Sequence, residues 1–289
     1  MFKKVSITFL LVLLMVVGSV SWVHADDPLP PCDSVLYDNT SERVLFVTES
    51  CTTDHTISVP DDYLLGGNFK TIYAVDPVGG HFVGAVIKIG PGNFGAVKEV
   101  TVDASGLANV CDSGDNRLKG IWINASNGRV SWNNIIGPNQ GQSGCQEGNA
   151  IEVRNPPYDG THPGTVWAII DNNTITGYQK TGILVNGDVA ADVWANTITG
   201  LGPVNYIAQN GIQLGWGAMG SVYDNIISGN EYTGSGWTSA GILLFDVNAP
   251  DLKIYRNTYR DNQKNLSMTE DSACPNMYGG FYSDYGLCE

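Results

Sequence analysis

Apolar and polar residues alternate in short runs along most of the chain, and each run ends at a turn residue. Successive side chains of a β-strand point to opposite faces, so this alternation predicts short strands with one buried face. After the N-terminal apolar segment, no stretch of useful length has the period of an amphipathic helix. Glycine is abundant, with 35 residues, which suits many strands joined by turns. The pattern predicts an all-β protein.

Two sequence elements recur along the chain. The first has an apolar residue, two variable positions, Asn and, two positions later, usually Ile: VSWNNI (130–135), IDNNTI (170–175), VWANTI (193–198), VYDNII (222–227) and IYRNTY (254–259). The second is a small residue with alternating aliphatic residues: GIWI (120–123), AIEV (150–153), GILV (182–185), GIQL (211–214) and GILL (241–244). The small residues recur at intervals of 30, 32, 29 and 30 residues.

A repeat of this length made only of short strands cannot bury its own apolar side, so successive units must stack. We predict a solenoid of parallel coils in which equivalent residues lie about 4.8 Å apart. The residues predicted to point into the shared interior are Ile183, Val185, Ile212, Leu214, Ile242 and Leu244. The residues predicted to stack as an asparagine ladder at one corner are Asn133, Asn173, Asn196, Asn225 and Asn257. In the pentapeptide NTITG (173–177 and 196–200), Asn is expected to turn the chain and Gly to permit the next turn.

The solenoid is predicted to span residues 61–265, between an N-terminal cap (26–60) and a C-terminal cap or tail (266–289). An open solenoid has exposed ends that need covering, and both segments are irregular and hold two cysteines each. A β-propeller is the main alternative, but its blades need about 40 or more residues.

These repeats resemble the right-handed parallel β-helix proteins of the pectate-lyase-like group. The stretch Leu65-Gly-Gly-Asn-Phe-Lys-Thr-Ile72 is similar to the L-D-G-x-G-x-x-I that opens many such helices, and departs from it at Gly66 and Phe69. The blocks GYQKTGI (177–183) and IAQNGIQLGWGA (207–218) resemble a bacterial exported β-helix subfamily of unassigned role. The resemblance implies a single-stranded right-handed parallel β-helix with irregular, disulfide-closed ends. It implies little about activity, because this fold hosts enzymes, adhesins and spacers.

Residues 1–25 are predicted to be a cleaved signal peptide, with Lys3 and Lys4 before an apolar run and Val23-His24-Ala25 at the cut. We therefore expect a secreted or cell-surface protein without a membrane segment after processing. An uncleaved transmembrane anchor is the alternative. The formal net charge of −14 makes nucleic acid an unsuitable partner.

Six cysteines remain after the predicted cut: Cys32, Cys51, Cys111, Cys145, Cys274 and Cys288. An even number in an exported chain predicts disulfides, and six cysteines allow about 15 pairings. We favour sequential pairing, because two of those pairs would close the ends of the chain.

A candidate catalytic group is centred on Lys180. A desolvated lysine can act as a base, and a neighbouring cation or amide can neutralise a uronate carboxylate and so acidify its C5 proton. Glu152, Asp171 and Gln209 are the expected supporting residues. The alternative, which the sequence favours, is an ordinary surface salt bridge.

A candidate binding surface is an outward row of aromatic residues formed by Trp194, Tyr223 and Tyr255, because flat rings suit sugar faces. Gln213 and Asn210 on the second repeat element are further binding candidates. The alternative is that a loop covers the rings, and the sequence favours it slightly.

Cofactor signatures are weak. After the predicted cut only His55, His81 and His162 remain, so neither a histidine-based metal site nor a Ser-His-Asp triad is indicated. The loop residues Asp188, Asp192, Asp246 and Asp251 could bind Ca²⁺, although their spacing matches no known calcium loop.

Three functions follow. The first, ranked highest because known catalytic motifs are missing, is binding of a polysaccharide or cell-surface polymer on the outer groove. The second is a polysaccharide lyase or uronate epimerase using Lys180. The third is a structural unit of a surface assembly, with an oligomeric state that the sequence leaves open.

Overall fold

The computed structural model describes residues 28–155, 164–247 and 252–269, and nearly all the regular structure in these ranges is β. Two single-turn 3₁₀ helices, Cys32–Ser34 and Gly114–Asn116, are the helical elements of this part of the chain. The predicted signal peptide and residues 270–289, with Cys274 and Cys288, lie outside the described residues.

The strands are, in chain order, β1 (Leu36–Asn39), β2 (Val44–Val47), β3 (Cys51–Thr53), β4 (Ile57–Val59), β5 (Tyr63–Ala74), β6 (Ala85–Ile89), β7 (Phe94–Asp103), β8 (Lys119–Asn124), β9 (Asn127–Ser131), β10 (Asn134–Ile136), β11 (Asn149–Asn155), β12 (Val166–Asp171), β13 (Thr174–Thr176), β14 (Thr181–Gly187), β15 (Val189–Trp194), β16 (Thr197–Val204), β17 (Asn210–Gly215), β18 (Met219–Tyr223), β19 (Ile226–Tyr232), β20 (Ala240–Phe245), β21 (Leu252–Tyr255), β22 (Thr258–Arg260) and β23 (Lys264–Met268).

Each coil of the solenoid contributes to three faces. Face 1 is an eight-stranded sheet in the order β23-β20-β17-β14-β11-β8-β6-β4. Face 2 contains β9, β12, β15, β18 and β21, and face 3 contains β10, β13, β16, β19 and β22. The long strand β7 serves both, because it pairs with β9 through its first half and with β10 through its second. Neighbouring coils pair in parallel, and β1 with β2 is an antiparallel exception at the N-terminal end. The predicted parallel β-helix is confirmed.

The core is a set of aliphatic rows that run along the solenoid axis. On face 1 the register aligns Ile87, Ile121, Ile151, Ile183, Ile212, Ile242 and Leu266. On face 2 it aligns Val97, Val130, Ile170, Val193, Val222 and Ile254. All six predicted interior residues are fully buried. Burying whole aliphatic side chains at about 1.5–3 kcal/mol each is the main source of stability here.

The predicted asparagine ladder lies at the corner between faces 2 and 3. Asn173 Oδ1 accepts hydrogen bonds from the backbone nitrogen and Nδ2 of Asn133, both at 3.0 Å. The same pair of bonds joins Asn173 to Asn196, Asn196 to Asn225 and Asn225 to Asn257, at 2.9–3.0 Å. The ladder therefore satisfies buried backbone groups where the strand ladder is interrupted.

The chain turns at a different residue from the one predicted. The residue before each ladder asparagine has a left-handed backbone, with φ of 60° at Trp132, 54° at Ala195 and 56° at Asp224. The asparagine side chain stabilises the corner by hydrogen bonds, and the residue before it has the backbone conformation that turns the chain. Gly177 has a φ of 70° as expected of a turn residue, whereas Gly200 lies within β16.

The N-terminal segment joins the solenoid earlier than expected. Strands β2 and β3 pair in parallel with β5, and β4 pairs in parallel with β6, so coil structure begins inside the predicted cap. Two predicted disulfides are confirmed, Cys32–Cys51 and Cys111–Cys145. They are compatible with an extracellular protein, since disulfides persist in oxidising compartments.

Candidate functional site

The small residue of the second repeat element faces the core, and it determines which of its neighbours in the strand point outward. A Cβ added to Gly182 would lie 2.6 Å from the carbonyl oxygen of Gly211 and 2.6 Å from Ile198 Cγ2. The following residue, Ile183, also faces the core. Two consecutive inward residues break the alternation, so the residue before the small one points to the outside of face 1.

This break gives face 1 three outward columns across β8, β11, β14 and β17. The first contains Lys119, Asn149, Thr181 and Asn210; the second Trp122, Glu152, Leu184 and Gln213; and the third Asn124, Arg154 and Asn186. Neighbours in a column lie about 4.8 Å apart, at the strand spacing of a sheet. The columns carry polar and charged groups where the core rows beneath them carry aliphatic ones.

A cleft of about 300 Å³ lies over these columns. The loop 104–118 supplies Gly114 and Arg117 to its wall, and the loop 137–148 supplies Gln146. The disulfide Cys111–Cys145 joins these two loops. The buried Glu147 carboxylate fixes the first loop, because it accepts hydrogen bonds from the backbone nitrogens of Asp112 and Leu118, both at 2.7 Å.

The three outward columns are rich in buried polar atoms without a hydrogen-bond partner. Among the described residues eight such side-chain atoms occur. Seven of them belong to the three columns: Trp122 Nε1, Asn124 Oδ1, Asn149 Oδ1, Arg154 Nε, Thr181 Oγ1, Asn186 Oδ1 and Asn210 Oδ1. Each unsatisfied group costs about 1–3 kcal/mol, so native proteins keep few of them. Seven of the eight therefore lie on one outer face, and four of those seven belong to residues that line the cleft, namely Asn149, Arg154, Thr181 and Asn186.

One end of the cleft is cationic. Lys88 Nζ and Lys119 Nζ each lie 4.7 Å from the ring centroid of Trp122, and the Arg154 guanidinium lies 4.9 Å from it. Lys119 is 1 % exposed, and burial lowers the pKa of its amine. Its Nζ donates to the carbonyl oxygen of Arg117 at 2.8 Å.

Glu152 is the acidic side chain of the cleft lining. Its carboxylate accepts a hydrogen bond from Asn149 Nδ2 at 2.9 Å and lies 3.7 Å from Arg154 Nη1. Arg154 also bonds to Asp115 in the loop above. The lining holds four cationic side chains, from Arg117, Lys119, Arg154 and Lys180, against this carboxylate. The cleft is therefore a positive region on an acidic chain.

Lys180 lines the cleft, as Glu152 does. Its Nζ donates to the carbonyl oxygen of Ala208 at 2.8 Å, and in the described part of the chain no carboxylate forms an ion pair with it. Burial lowers the pKa of Lys180 from 10.5 to about 8. The amine therefore loses its proton only slightly above neutral pH, which suits a general base. The structure does not show the surface salt bridge that the sequence favoured for this residue.

The structure brings together Lys180, Glu152 and Gln213 as cleft residues, with Asn210 in the adjoining column. Asn210 Nδ2 donates to Gln213 Oε1 at 3.3 Å. Gln209 is turned away from this group into a buried corner. Its Nε2 donates to the carbonyl oxygen of Tyr178 at 2.6 Å, and its Oε1 accepts from the backbone nitrogen of Leu201 at 2.9 Å. Gln209 holds the chain at that corner rather than facing the cleft.

Asp171, expected as a supporting residue of Lys180, lies on face 2, away from it. It is fully buried, and its carboxylate accepts hydrogen bonds from Arg129 Nε at 3.0 Å, Arg129 Nη2 at 3.1 Å and Ser131 Oγ at 2.6 Å. The sequence separation from Lys180 is small, but strand β13 of face 3 and a corner on either side of it lie between the two residues, so their side chains are on different surfaces.

The aromatic row is present on face 2. The rings of Trp194 and Tyr223 are stacked with centroids 6.0 Å apart, and those of Tyr223 and Tyr255 with centroids 4.9 Å apart. All three residues are half-buried. The Arg256 guanidinium lies 4.9 Å from the Tyr255 ring. The rings therefore cover one another's faces and leave mainly edges to solvent. Sugar binding by this row stays a prediction.

Sequence reasoning missed several cleft residues. Arg117 and Gln146 lie in irregular loops that carry no repeat signal. Asn149 and Thr181 precede the small residue of the second repeat element, and the recurrence of polar residues at that position was an available signal. Trp216 lines the cleft next to β17, and one residue, Gly215, separates it from the GIQL repeat in the sequence.

No calcium site is assembled by the predicted aspartates that the structure describes. Asp188 Oδ1 accepts a hydrogen bond from Thr165 Oγ1 at 2.7 Å, and Asp251 lies outside the described residues. Within the described ranges, the group of potential metal ligands that lie close together is Cys111, Cys145 and Glu147, whose cysteines form a disulfide. Calcium binding stays a prediction.

Membrane-spanning helices were sought in the described ranges, and none of the helices there is long and apolar enough to span a bilayer.

Comparison with known proteins identifies the family. No curated protein and no solved structure matches the chain. A family model described as "Right handed beta helix region" matches residues 119–279, which is more than half of the chain and includes the strands that floor the cleft. The chain therefore belongs to the right-handed β-helix family.

Proposed function

We propose that the protein is exported and binds an acidic polysaccharide or cell-surface glycan in the cleft on face 1. The observation that supports this most strongly is the set of seven buried, unpartnered polar atoms in the outward columns. Five of them are oxygens of asparagine and threonine side chains, which can accept hydrogen bonds from sugar hydroxyl groups.

The charge of the cleft favours an anionic ligand. Four cationic side chains line it, and the chain as a whole has a net charge of −14. A positive cleft on a negative molecule attracts anions locally, whereas the remaining surface repels them. Uronate-containing glycans combine carboxylates with many hydroxyl groups, so they match both features.

Calorimetric titration tests the proposal with a polyuronate and with an uncharged dextran as the reference polymer. We expect the polyuronate to bind and Arg117→Ala and Asn186→Ala to weaken its binding several-fold. Arg43→Ala is the matched control, because Arg43 pairs with Asp62 outside the cleft. The proposal is overturned if no acidic glycan binds, or if the two cleft variants bind as tightly as Arg43→Ala.

A second candidate function is a uronate lyase or epimerase, and the observation that favours it is Lys180 in the cleft lining. With its pKa at about 8, the neutral amine would take the C5 proton of a uronate while cationic side chains neutralise the carboxylate. Elimination then breaks the C4–O bond, the leaving oxygen takes the proton from the Lys180 ammonium, and a 4,5-unsaturated uronate remains. For the epimer, water protonates C5 from the opposite face and the resulting hydroxide takes the proton from Lys180.

Incubation with pectin, alginate and glycosaminoglycans tests this chemistry by ultraviolet absorbance and NMR. We expect product formation to rise with pH through about 8 and to stop in Lys180→Met. Absence of unsaturated and epimerised products across the panel would exclude the enzyme and leave the binding function standing.

A further inference from the structure

The cleft is divided along the solenoid axis into a charged half and a neutral half. The coils of β8 and β11, with their loops, contribute Arg117, Lys119, Arg154 and Glu152. Beyond Lys180 at the start of β14, the lining consists of uncharged side chains: Thr181, Leu184, Asn186, Gln213 and Trp216. The central column shows the same change, because it passes from Glu152 to Leu184 and Gln213.

The neutral half ends at an exposed aromatic side chain. Trp216 is 43 % exposed and follows β17 directly. Its backbone nitrogen donates to the carbonyl oxygen of Phe245 at 3.0 Å, and the two rings are tilted by 56° with centroids 5.0 Å apart. Its φ of 51° is left-handed, a conformation that favours glycine. The chain therefore holds a large ring at the end of the cleft at some conformational cost, and an indole face suits the apolar face of a sugar ring.

The two halves lie within the reach of one short oligosaccharide. From β8 to β17 is three strand spacings, which is roughly 14 Å along the axis. The unpartnered oxygens of Asn149, Thr181 and Asn210 lie in one column over the same stretch. A ligand that runs along the axis would meet cations first, then hydroxyl-binding oxygens, then the indole ring.

We propose that the cleft selects a mixed glycan, in which a uronate lies next to neutral sugars, over a chain composed of uronates alone. The uronate lies against Arg117, Lys119 and Arg154, and a neutral sugar stacks on Trp216. This selectivity rests on the proposed function of the cleft. A chain of uronates alone would place a carboxylate against Trp216, at the end of the lining away from Arg117, Lys119 and Arg154, where the loss of its hydration is offset least.

Calorimetry with defined trisaccharides tests the selectivity at about 0.15 M salt, where long-range charge effects are screened. Four trisaccharides are compared. Two carry a single uronate, at the reducing end in one and at the non-reducing end in the other, with neutral sugars elsewhere. The third consists of three uronates, and the fourth is fully neutral. We expect one of the single-uronate ligands to bind at least five-fold more tightly than both the triuronate and the neutral ligand. Equal or tighter binding of the triuronate overturns the inference but supports the proposed function. Binding of none of the four overturns both.

Two tryptophan variants locate the neutral sugar. We expect Trp216→Ala to lower the affinity for the preferred trisaccharide about ten-fold and to change the affinity for an isolated monouronide by less than two-fold. Trp237→Ala is the matched control, since Trp237 is 77 % exposed and does not line the cleft. If Trp216→Ala binds the trisaccharide as Trp237→Ala does, the stacking position is wrong.

Discussion

At the scale of single residues, a ladder asparagine such as Asn196 joins three coils through one amide. Asn196 Oδ1 accepts from the backbone nitrogen of Asn173 at 3.0 Å and from Asn173 Nδ2 at 2.9 Å. Its Nδ2 donates to the carbonyl oxygen of Ile170 and to Asn225 Oδ1, both at 2.9 Å. Because these groups are buried, a lost partner leaves a donor or acceptor that water cannot reach.

Removal of one ladder amide should be costly. We expect Asn196→Ala to lower the free energy of unfolding by about 3 kcal/mol, because two donors of Asn173 lose their acceptor and three acceptors, Ile170 O, Trp194 O and Asn225 Oδ1, each lose a donor. Asn93→Ala is the control: Asn93 is exposed and bonds to Asp61, so a loss under about 1 kcal/mol is expected. Urea unfolding measures both, and similar losses in the two variants would contradict the ladder's role.

The buried amine of Lys180 should make stability depend on pH. Its pKa is lowered from 10.5 to about 8, so below pH 8 the folded state carries a desolvated charge that the unfolded chain solvates freely. We expect Lys180→Met to be more stable than the natural protein by roughly 2 kcal/mol at pH 7. Above pH 8 the folded protein releases this proton while the unfolded chain still holds it, so the natural protein gains stability and the difference narrows toward pH 10. A difference that stays constant from pH 7 to pH 10 would show that the amine keeps an ordinary pKa.

At the scale of elements, five face 1 strands (β8, β11, β14, β17 and β20) share a small residue as the first of two consecutive inward residues. A carbonyl of the next coil lies close to each of the glycines at this position, whereas β6 has the buried Val86 there. Ala150 shows that one carbon can be accommodated at the equivalent position. The outward columns, and with them the cleft floor, depend on this feature.

A larger side chain at this position should distort β14. We expect Gly182→Val to lower the free energy of unfolding by about 3 kcal/mol, since its branched side chain meets the backbone of Gly211 and the side chain of Ile198. Gly106→Val is the control, because a Cβ at Gly106 meets nothing within 4 Å. Thermal unfolding compares the two, and equal midpoints would rule out the close approach.

The strands and core rows were predictable because alternation and a repeat near 30 residues report burial directly. The ladder was predictable too, since an asparagine recurs at the same position of the first repeat element in every coil that contains it. The cleft was only partly predictable. The first outward column depends on a break in the alternation of inward and outward residues, and the sequence shows this break only as a small residue. The walls of the cleft are formed by loops that follow no repeat, such as the loop that contains Arg117. The position of Asp171 was not predictable, because its nearness to Lys180 in the sequence does not reveal that strand β13 and two corners lie between them.

At the scale of the whole molecule, contacts run mainly between neighbouring coils, so a perturbation should stay local. The disulfide Cys111–Cys145 joins loops of successive coils across 34 residues and clamps the cationic end of the cleft. The other described disulfide, Cys32–Cys51, lies at the N-terminal end.

Loss of the clamp should loosen one wall of the cleft and leave distant coils unchanged. We expect the double variant Cys111→Ser, Cys145→Ser to lose about 4 kcal/mol of stability, as expected for closing a loop of this length. Hydrogen exchange should rise in residues 104–118 and 137–148 and stay unchanged in β15 and β18. The double variant Cys32→Ser, Cys51→Ser is the control, with effects confined to β1–β3. Faster exchange throughout the first variant would contradict the local behaviour of the solenoid.

Successive ladder asparagines are 40, 23, 29 and 32 residues apart along the chain, yet each pair makes the same two bonds. The differences in spacing are accommodated in the loops, so the ladder keeps one asparagine per coil. Duplication of one coil between β11 and β14 would lengthen the solenoid by one strand spacing, about 4.8 Å, and leave both ends unchanged. Duplication of a coil therefore changes the length of face 1 without changing the residues at either end.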